Sequence, residues 1–292
     1  MLQYFVRNAY EPAFAGENQP RLFFASRVGY GDNSFSRTMH SHNDYAEILL
    51  VRAGTAEYLV GDRRRYICPG DLIVHNCGII HDESPLAGRE IRIYCLGVGG
   101  LALPGLRPNA FLPDDVSPVF SSGDAFPELE TLCGMIYGAL QKGGAARERY
   151  AQALLEAFLL RFLPLLPGAP ADLPAPAPKP DSVLGARIKA YLDQHYAEDL
   201  HIPEIAAALH LSAPYLSHIF RKLYGYSPMN YLLRRRIGEA QTLLISTGLP
   251  VTEIGERVGY ETTSYFSAQF AKHTGMSPKE YRKRYAGKSE GE

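Results

Sequence analysis

The stretch that decides the fold lies near the carboxyl end of the chain, where residues 254–282 read IGERVGYETTSYFSAQFAKHTGMSPKEYR. Fifty positions earlier, residues 204–232 read EIAAALHLSAPYLSHIFRKLYGYSPMNYL. Eight of the 17 positions from 215 to 231 carry a residue that recurs 50 positions later, in the order Tyr, Ser, Phe, Lys, Gly, Ser, Pro and Tyr. Agreement of this extent indicates that one supersecondary unit occurs twice.

Each unit has the spacing of a helix-turn-helix motif. In the first copy, apolar residues at helical intervals predict a short helix over 202–209, a tight turn, and a second helix over 213–224. Ser212 suits the N-cap of the second helix, Pro214 its first turn and Gly225 its end. The second copy repeats the pattern, with a close helix approach, a turn, a cap and a stop at Gly255, Gly259, Thr262 and Gly275.

The second helix of each unit has a polar face opposite its apolar stripe. Hydroxyl, imidazole and guanidinium groups on such a face can reach base edges in a major groove. Two generic helical hairpins with polar surfaces are the alternative interpretation. The candidate DNA-binding residues are Ser212, Pro214, Tyr215, Ser217, His218, Arg221 and Lys222 in the first copy, and Thr262, Thr263, Ser264, Ser267, Ala268 and Lys272 in the second.

Basic residues are concentrated in the duplicated region. The whole chain has 30 Lys+Arg and 31 Asp+Glu, a formal net charge of −1. Residues 211–285 nevertheless carry 11 basic and 5 acidic residues, whereas residues 1–180 carry 16 and 19. A local basic surplus is typical of a surface that meets phosphates, although an ordinary solvated helical surface can also have one.

Length and composition favour two globular domains. A chain of 292 residues, 46% hydrophobic and 21% charged, is long enough for two cores and too apolar for wholesale disorder. The first residues lack the pattern of a signal peptide, and no apolar run is long enough to span a membrane. The four cysteines are scattered without C-x-x-C spacing, which favours reduced thiols and hence a cytoplasmic protein.

The amino-terminal half predicts β structure followed by a helical hairpin. Short β-rich runs are punctuated by Gly, Asn, Asp and Pro, as in a sandwich or barrel, and lie at 47–52, 56–60, 71–74 and 90–96. Residues 126–142 and 145–163 have helical spacing, and seven prolines within residues 164–180 predict a stiff linker. The second helix has more large apolar side chains than a hairpin buries, so it either pairs two protomers or covers the β domain.

Histidines in the β region have the chemistry of a binding site. His40 and His42 would share one face of a strand, because side chains alternate with a period of two. With Glu47 and His81 they form a ligand set that suits Zn, Ni, Fe or Mn, but the same groups could hold an organic effector or act structurally. The candidate effector-binding residues are His40, His42, Tyr45, Glu47, Tyr58 and His81, of which His40, His42, Glu47 and His81 are the candidate metal ligands.

The duplicated region resembles the DNA-binding domain of the AraC/XylS family of bacterial transcription regulators. The family's carboxyl-terminal signature is matched at Ile254-Gly255, Val258-Gly259-Tyr260, Ser264-Tyr265-Phe266, Phe270, Lys272, Gly275, Ser277-Pro278 and Tyr281-Arg282. The resemblance implies two helix-turn-helix motifs joined by a long helix over 229–246, with both recognition helices in successive major-groove segments. Pro214 and Ala268 stand where relatives often have longer, base-contacting side chains. Readout would therefore rest more on His218, Arg221, Thr263 and Ser264.

Two further expectations concern the joining helix and the histidines. Arg234-Arg235-Arg236 would contact the DNA backbone or form salt bridges with Glu239. The H-x-H-x4-E-x6-G run from His40 to Gly54 resembles the first motif of the cupin superfamily. The amino-terminal domain likewise resembles the cupin-type sensory domain that is common in the same regulators.

These features predict a multidomain α+β protein. It consists of a cupin-like effector-binding β barrel (1–125), a helical hairpin for dimerisation (126–163), a proline-rich linker (164–180) and a double helix-turn-helix domain (181–292). The expected function is a ligand-responsive, sequence-specific transcription regulator, not an enzyme. Its expected partners are double-stranded DNA, a small-molecule effector such as a sugar, a second copy of the chain and RNA polymerase.

Two other functions compete with this prediction. A metal-dependent cupin enzyme would use the histidines, but no acid/base pair with a proton-transfer spacing accompanies them, and the duplicated unit would have no role. A constitutive architectural DNA binder would leave the β domain without a purpose.

Overall fold

The chain folds into a β-rich amino-terminal domain and a helical carboxyl-terminal domain. The structure, a computed structural model, describes residues 3–5, 12–16, 18–29, 39–60, 63–82, 91–114, 116–167 and 180–286. Most of the predicted linker, residues 168–179, lies outside these ranges. The predicted fold class is confirmed, with the β region, the helical hairpin and the two helix-turn-helix motifs in the expected order.

The amino-terminal domain contains two antiparallel sheets. Its strands are β1 (Arg21–Val28), β2 (Ala46–Ala53), β3 (Ala56–Val60), β4 (Arg63–Ile67), β5 (Asp71–His75), β6 (Arg92–Gly99) and β7 (Val119–Ser121). Five strands form one sheet in the order β1-β6-β2-β5-β7, and β3 pairs with β4 in a separate hairpin. Strand β2 is therefore the centre of the larger sheet.

Strand β2 is buried on both faces. Ile48 and Leu50 contribute to the core that the sheet shares with the helical hairpin. Leu49 and Val51 point the other way and pack with Tyr58 and other residues of the β3–β4 layer. This two-sided burial explains why residues 46–51 form a continuous run of small and apolar side chains, interrupted only by Glu47.

The helical hairpin covers the sheet. It consists of α1 (Phe126–Lys142) and α2 (Ala145–Phe162), which pack on each other and on β1. Four large apolar side chains of α2 are fully buried in the core beneath the sheet, namely Leu155, Phe158, Leu159 and Phe162, whereas Leu160 is 53% exposed. The buried face of α2 therefore covers the β domain, and dimerisation through residues 126–163 stays a prediction.

The carboxyl-terminal domain contains the duplicated unit. Its helices are α3 (Pro180–Gln194), α4 (Ile202–Ala208), α5 (Ala213–Tyr224), α6 (Pro228–Ser246), α7 (Val251–Arg257), α8 (Thr263–Thr274) and α9 (Pro278–Tyr285). Helices α4 and α5 form the first motif, α7 and α8 form the second, and α6 joins them. The sequence patterns missed β1, β4, β7, α3 and α9, which have weak periodicity or are short.

The predicted helix caps are confirmed in both motifs. The Ser212 hydroxyl accepts a hydrogen bond from the backbone N–H of Tyr215, and Thr262 does the same for Tyr265. Gly225 and Gly275 end the two second helices in the left-handed conformation, with φ of 75° and 78°. The two copies thus share backbone geometry as well as sequence.

The two domains are in contact. Met39 is buried in the core of the first helix-turn-helix motif, and Ile80 packs against the same core. Asp82 forms an ion pair with Arg234 of α6, with an Oδ2–Nη2 distance of 2.8 Å.

Among the described residues, no helix combines the length and the apolar character needed to cross a membrane.

Gly259 allows a close approach between two segments of the helical domain. Its φ is +85°, and a Cβ at this position would lie 2.6 Å from the backbone oxygen of Ala197. We expect Gly259→Ala to lower the free energy of unfolding by about 1 to 3 kcal/mol, because it adds backbone strain and a clash. The measurement is urea unfolding followed by far-ultraviolet circular dichroism.

Gly248→Ala is the matched control, because a Cβ there would meet no atom within 4 Å. It should change the free energy of unfolding by less than about 1 kcal/mol. Equal stability of the Gly259→Ala and Gly248→Ala proteins would contradict the steric argument.

Candidate functional site

The four candidate metal ligands lie together in the amino-terminal domain. His40, His42, Glu47 and His81 are all buried, and their ligand atoms lie within 4.8 Å of one another. Glu47 lies on β2, but His40 and His42 precede that strand and lie outside any described strand of the sheets. The expectation of a shared strand face is therefore wrong. An isolated backbone bridge between His40 and His81 brings the histidines together instead.

Glu47 links two of the histidines. Its Oε1 lies 2.9 Å from His42 Nε2, and its Oε2 lies 2.9 Å from His81 Nε2. Burial pushes the pKa of Glu47 upward, but the hydrogen bonds and positive charges of His42 and His81 outweigh burial and hold that pKa well below its usual value. The carboxylate is therefore ionised, as metal coordination also requires.

His81 is held in the orientation that a metal ligand needs. Its Nδ1 lies 3.0 Å from the carbonyl oxygen of Ile79, which can only accept, so Nδ1 donates and Nε2 points toward Glu47. Metal-bound histidines commonly donate their other ring N–H to a backbone carbonyl in this way. Metal–ligand distances of about 2.0 to 2.2 Å place any two ligand atoms at most about 4.4 Å apart, so a bound ion would draw these atoms slightly closer together than the 4.8 Å within which they lie. The residues present thus fit a Zn, Ni, Fe or Mn ion.

A further histidine belongs to this cluster and was missed by sequence reasoning. His75 ends β5 directly opposite Glu47, and its ring stacks on His81 with 4.0 Å between centroids. Burial, followed by the nearby charge of His81, holds the pKa of His75 well below its usual value. Its only sequence signal was a polar residue at the end of an apolar strand, which does not distinguish it from an ordinary strand end.

The two tyrosines among the candidate effector-binding residues, Tyr45 and Tyr58, have different positions. Tyr45 stacks on His42, with 4.3 Å between ring centroids, and is half-buried. Tyr58 is fully buried, and its hydroxyl lies 2.7 Å from Nε2 of His75. Tyr45 therefore borders the cluster directly, whereas Tyr58 reaches it through His75.

The candidate DNA-binding residues are accessible on α5 and α8 or at their caps. Ser217, Thr263 and Ser267 are half-buried, and the other ten are exposed. Lys222 is engaged by Asp181, with 2.9 Å between Nζ and Oδ2, and this hydrogen bond raises the pKa of Lys222. The prediction missed Tyr265, which is 58% exposed and occupies the position of Tyr215 in the repeat. The repeat itself was the signal that could have identified it.

A cleft of about 610 Å³ opens beside the second motif. It is lined by Thr263 and Ser267 of α8, together with residues at the starts of α7 and α9, namely Pro250, Val251, Thr252, Ser277, Pro278, Lys279 and Arg282. Lys279 supplies a positive charge at its edge. The polar face of α8 is therefore continuous with a concave surface, whereas α5 presents longer side chains.

The three arginines of the joining helix have separate partners. Arg235 forms the expected ion pair with Glu239, with 2.7 Å between Nη1 and Oε2. Arg234 pairs with Asp82, and Arg236 donates hydrogen bonds to the carbonyl oxygens of Tyr196 and Glu198. All three side chains thus hold α6 in place, and each guanidinium is engaged by a partner within the protein.

Comparison with known proteins agrees with this two-part organisation. A family model described as an AraC-like ligand binding domain matches residues 22–163, and one described as a helix-turn-helix domain matches residues 205–284. The arabinose operon regulatory protein of Escherichia coli is 33% identical over 232 residues, which are 75% of this chain and 74% of that protein. An uncharacterised helix-turn-helix regulator of E. coli, YdiP, is 27% identical over 98% of this chain and 93% of its own length.

Among solved structures, this chain is similar to the carboxyl-terminal domain of AraT, a response regulator from Geobacillus stearothermophilus. That domain is 36% identical, covers 37% of this chain and 91% of its own, and has a TM-score of 0.36. The matches to family models and relatives define a class of protein, a transcription regulator with a ligand-binding domain and a DNA-binding domain, and not an enzyme. The chain belongs to the AraC family of transcriptional regulators.

The buried Glu47 carboxylate should be important for stability. We expect Glu47→Ala, in the presence of a chelator, to lower the free energy of unfolding by about 3 kcal/mol or more, because it leaves His42 and His81 buried without the carboxylate. Urea unfolding of the full chain, followed by circular dichroism, measures the change.

Glu130→Ala is the control, since Glu130 forms a partly exposed ion pair with Arg52. Its cost should stay below about 1 kcal/mol. A Glu47→Ala protein as stable as the Glu130→Ala protein would show that the cluster does not stabilise the fold.

Proposed function

We propose that this regulator reads DNA with α5 and α8 in successive major-groove segments and responds to a ligand at the His40–His42–Glu47–His81 cluster. The main support is the duplicated pair of helices, each capped by a hydroxyl side chain and each with an accessible polar face. Successive major grooves on one side of B-DNA are about 34 Å apart, so two motifs on one rigid helix suit a site of two such segments.

The two recognition helices differ in the side chains they offer. Arg221, His218 and Tyr215 on α5 are long or aromatic and exposed. Arginine can donate two hydrogen bonds to the O6 and N7 atoms of guanine, which is the commonest specific contact in the major groove. On α8, Tyr265 matches Tyr215. Thr263, Ser264 and Ala268 instead offer short side chains, which favour close approach, with methyl contacts to thymine and hydroxyl contacts to bases or phosphates. We infer that α5 contributes more of the base discrimination.

Arg221→Ala should weaken binding to the preferred DNA sequence by about 1 to 3 kcal/mol, because it removes a base contact. The loss should be unequal across sequences. Fluorescence anisotropy titrations against a preferred fragment and against single-base variants of it, at one fixed salt concentration, measure the effect.

Arg147→Ala is the control, since it removes the same charge from an exposed position on α2 of the amino-terminal domain. Its affinity should match that of the wild-type protein. An equal loss on every DNA sequence for Arg221→Ala would assign Arg221 to phosphate contact and refute base readout.

The ligand that the cluster suits best is a divalent transition metal ion. The four side chains are between 0 and 8% exposed, their ligand atoms are close together, and Glu47 is ionised. A bound ion would supply a positive charge shared by three imidazoles and the carboxylate. Either ligand would have to replace the Glu47 hydrogen bonds, and a metal ion would do so by displacing the Nε2 protons of His42 and His81. The alternative is an organic effector such as a sugar, which the name of the arabinose operon relative supports.

Metal-free protein without an affinity tag, prepared by dialysis against a chelator, should take up about one Zn, Ni, Fe or Mn ion per chain. His42→Ala should weaken uptake at least about tenfold, because it removes a ligand. Equilibrium dialysis with elemental analysis measures bound metal.

His201→Ala is the control, because His201 is exposed and lies on the helical domain. It should bind metal as the wild-type protein does. If the wild-type protein binds no metal at micromolar concentrations, the ion is excluded and the organic effector is favoured.

Three further expectations, on protomer pairing, RNA polymerase contact and cellular location, belong to this proposal. Pairing of two protomers would use a surface other than the buried face of α2. Contact with RNA polymerase would allow activation of transcription from a bound site. A regulator of bacterial genes acts where the chromosome lies, so we infer a cytoplasmic protein.

A further inference from the structure

The backbone bridge between His40 and His81 has the ligand cluster on one side and the helical domain on the other. The backbone N–H of His40 donates to the carbonyl of His81 at 3.0 Å, and the reverse bond is 2.9 Å long. In extended chain, neighbouring side chains point to opposite sides. His40 and His81 therefore face Glu47, whereas Met39, Ile80 and Asp82 face the helices.

These three flanking residues form the contact described above. Met39 is 5% exposed within the core of the first motif, and Ile80 packs against that core. Asp82 Oδ2 accepts from both Nε and Nη2 of Arg234, at 3.3 and 2.8 Å. The side chains of Arg234 and Asp82 are 16% and 14% exposed, so water screens this ion pair less than it screens the surface pairs.

Arg234 lies at a junction of the helical domain. Its guanidinium lies over the ring of Tyr226, 4.7 Å from the centroid, in the segment that follows the first recognition helix. A displacement of Arg234 therefore acts on the helix that joins the two motifs and on the segment that follows the first recognition helix.

We propose that the His40–His81 bridge couples the ligand cluster to DNA binding, with Asp82–Arg234 as the contact that transmits the ligand state to α6. This inference rests on the proposed ligand site. A ligand that displaces His40 or His81 also displaces the backbone that carries Met39, Ile80 and Asp82. These three residues contact the helical domain. The coupling requires only that the two ligand states place Asp82 and Met39 differently.

The first test needs no ligand. Glu47→Gln, Asp82→Asn and the double variant are compared with the wild-type full-length chain for binding to a DNA fragment selected by the wild-type protein from a random pool. Glu47→Gln should change the dissociation constant by about fivefold or more when Asp82 is present, and by less than about twofold in the Asp82→Asn background. The same fold-change in both backgrounds, or no change in either, overturns the coupling.

The second test uses Zn²⁺ alone as the probe. Zn²⁺ should change the dissociation constant for DNA by about fivefold or more in the wild-type protein and by less than about twofold in Asp82→Asn. Both proteins should bind the same amount of zinc per chain. Arg161→Gln, which breaks the exposed pair with Glu128 on the helical hairpin, is the matched control and should keep the wild-type response. A full response from Asp82→Asn overturns the proposal.

Two checks separate the possible failures. If the wild-type protein takes up no zinc, the metal assignment is wrong, while the first test still decides the coupling. Charge reversal by Asp82→Arg with Arg234→Asp should restore at least part of the wild-type response, because the ion pair is rebuilt with opposite polarity. Loss of the response in the reversed pair, with unchanged thermal unfolding, would show that these charges do not transmit it.

Discussion

The two-sided burial of β2 is the constraint on which the amino-terminal domain depends. One face of this strand packs on the helical hairpin and the other on the β3–β4 layer. The same burial encloses Glu47, whose carboxylate must then be paired, because an isolated buried charge is strongly unfavourable. His42 and His81 meet that requirement. Glu47 thus takes part both in the packing of the sheet and in the proposed binding site.

The helical domain uses a different principle, repetition of one unit with different exposed residues. The N-cap hydroxyls, the glycines that end the second helices, and the buried Phe220 and Phe270 agree between the copies, because each copy must solve the same packing problem. A Cβ at Gly255 would lie 3.1 Å from the ring of Phe266, so α7 and α8 approach closely, as expected for the second motif. The outward side chains are free of that constraint. Tyr215 and Lys222 recur in the second copy, whereas Ala268 and Ala271 stand at the positions of His218 and Arg221.

Contacts between the two domains connect the two principles. The segments that carry His40 and His81 present these histidines to the cluster, and they present Met39 and Ile80 to the core of the first motif. Arg234, which the sequence placed in a run typical of DNA-backbone contact, is instead part of this interface. Its neighbours Arg235 and Arg236 also have protein partners. A basic run on a helix therefore had a structural role that its charge alone did not reveal.

The sequence by itself determined what depends on local periodicity and on repetition. These features are the helix-turn-helix units with Ser212 and Thr262 as caps, the helical hairpin, four of the strands, and the grouping of His40, His42, Glu47 and His81. Only the tertiary structure decided the rest. His75 enters the cluster through cross-strand register, α2 buries its apolar face on the sheet, and Asp82 meets Arg234 across 152 positions of sequence. Register and domain contacts depend on how distant segments pack, and no local pattern encodes which partner a side chain will meet.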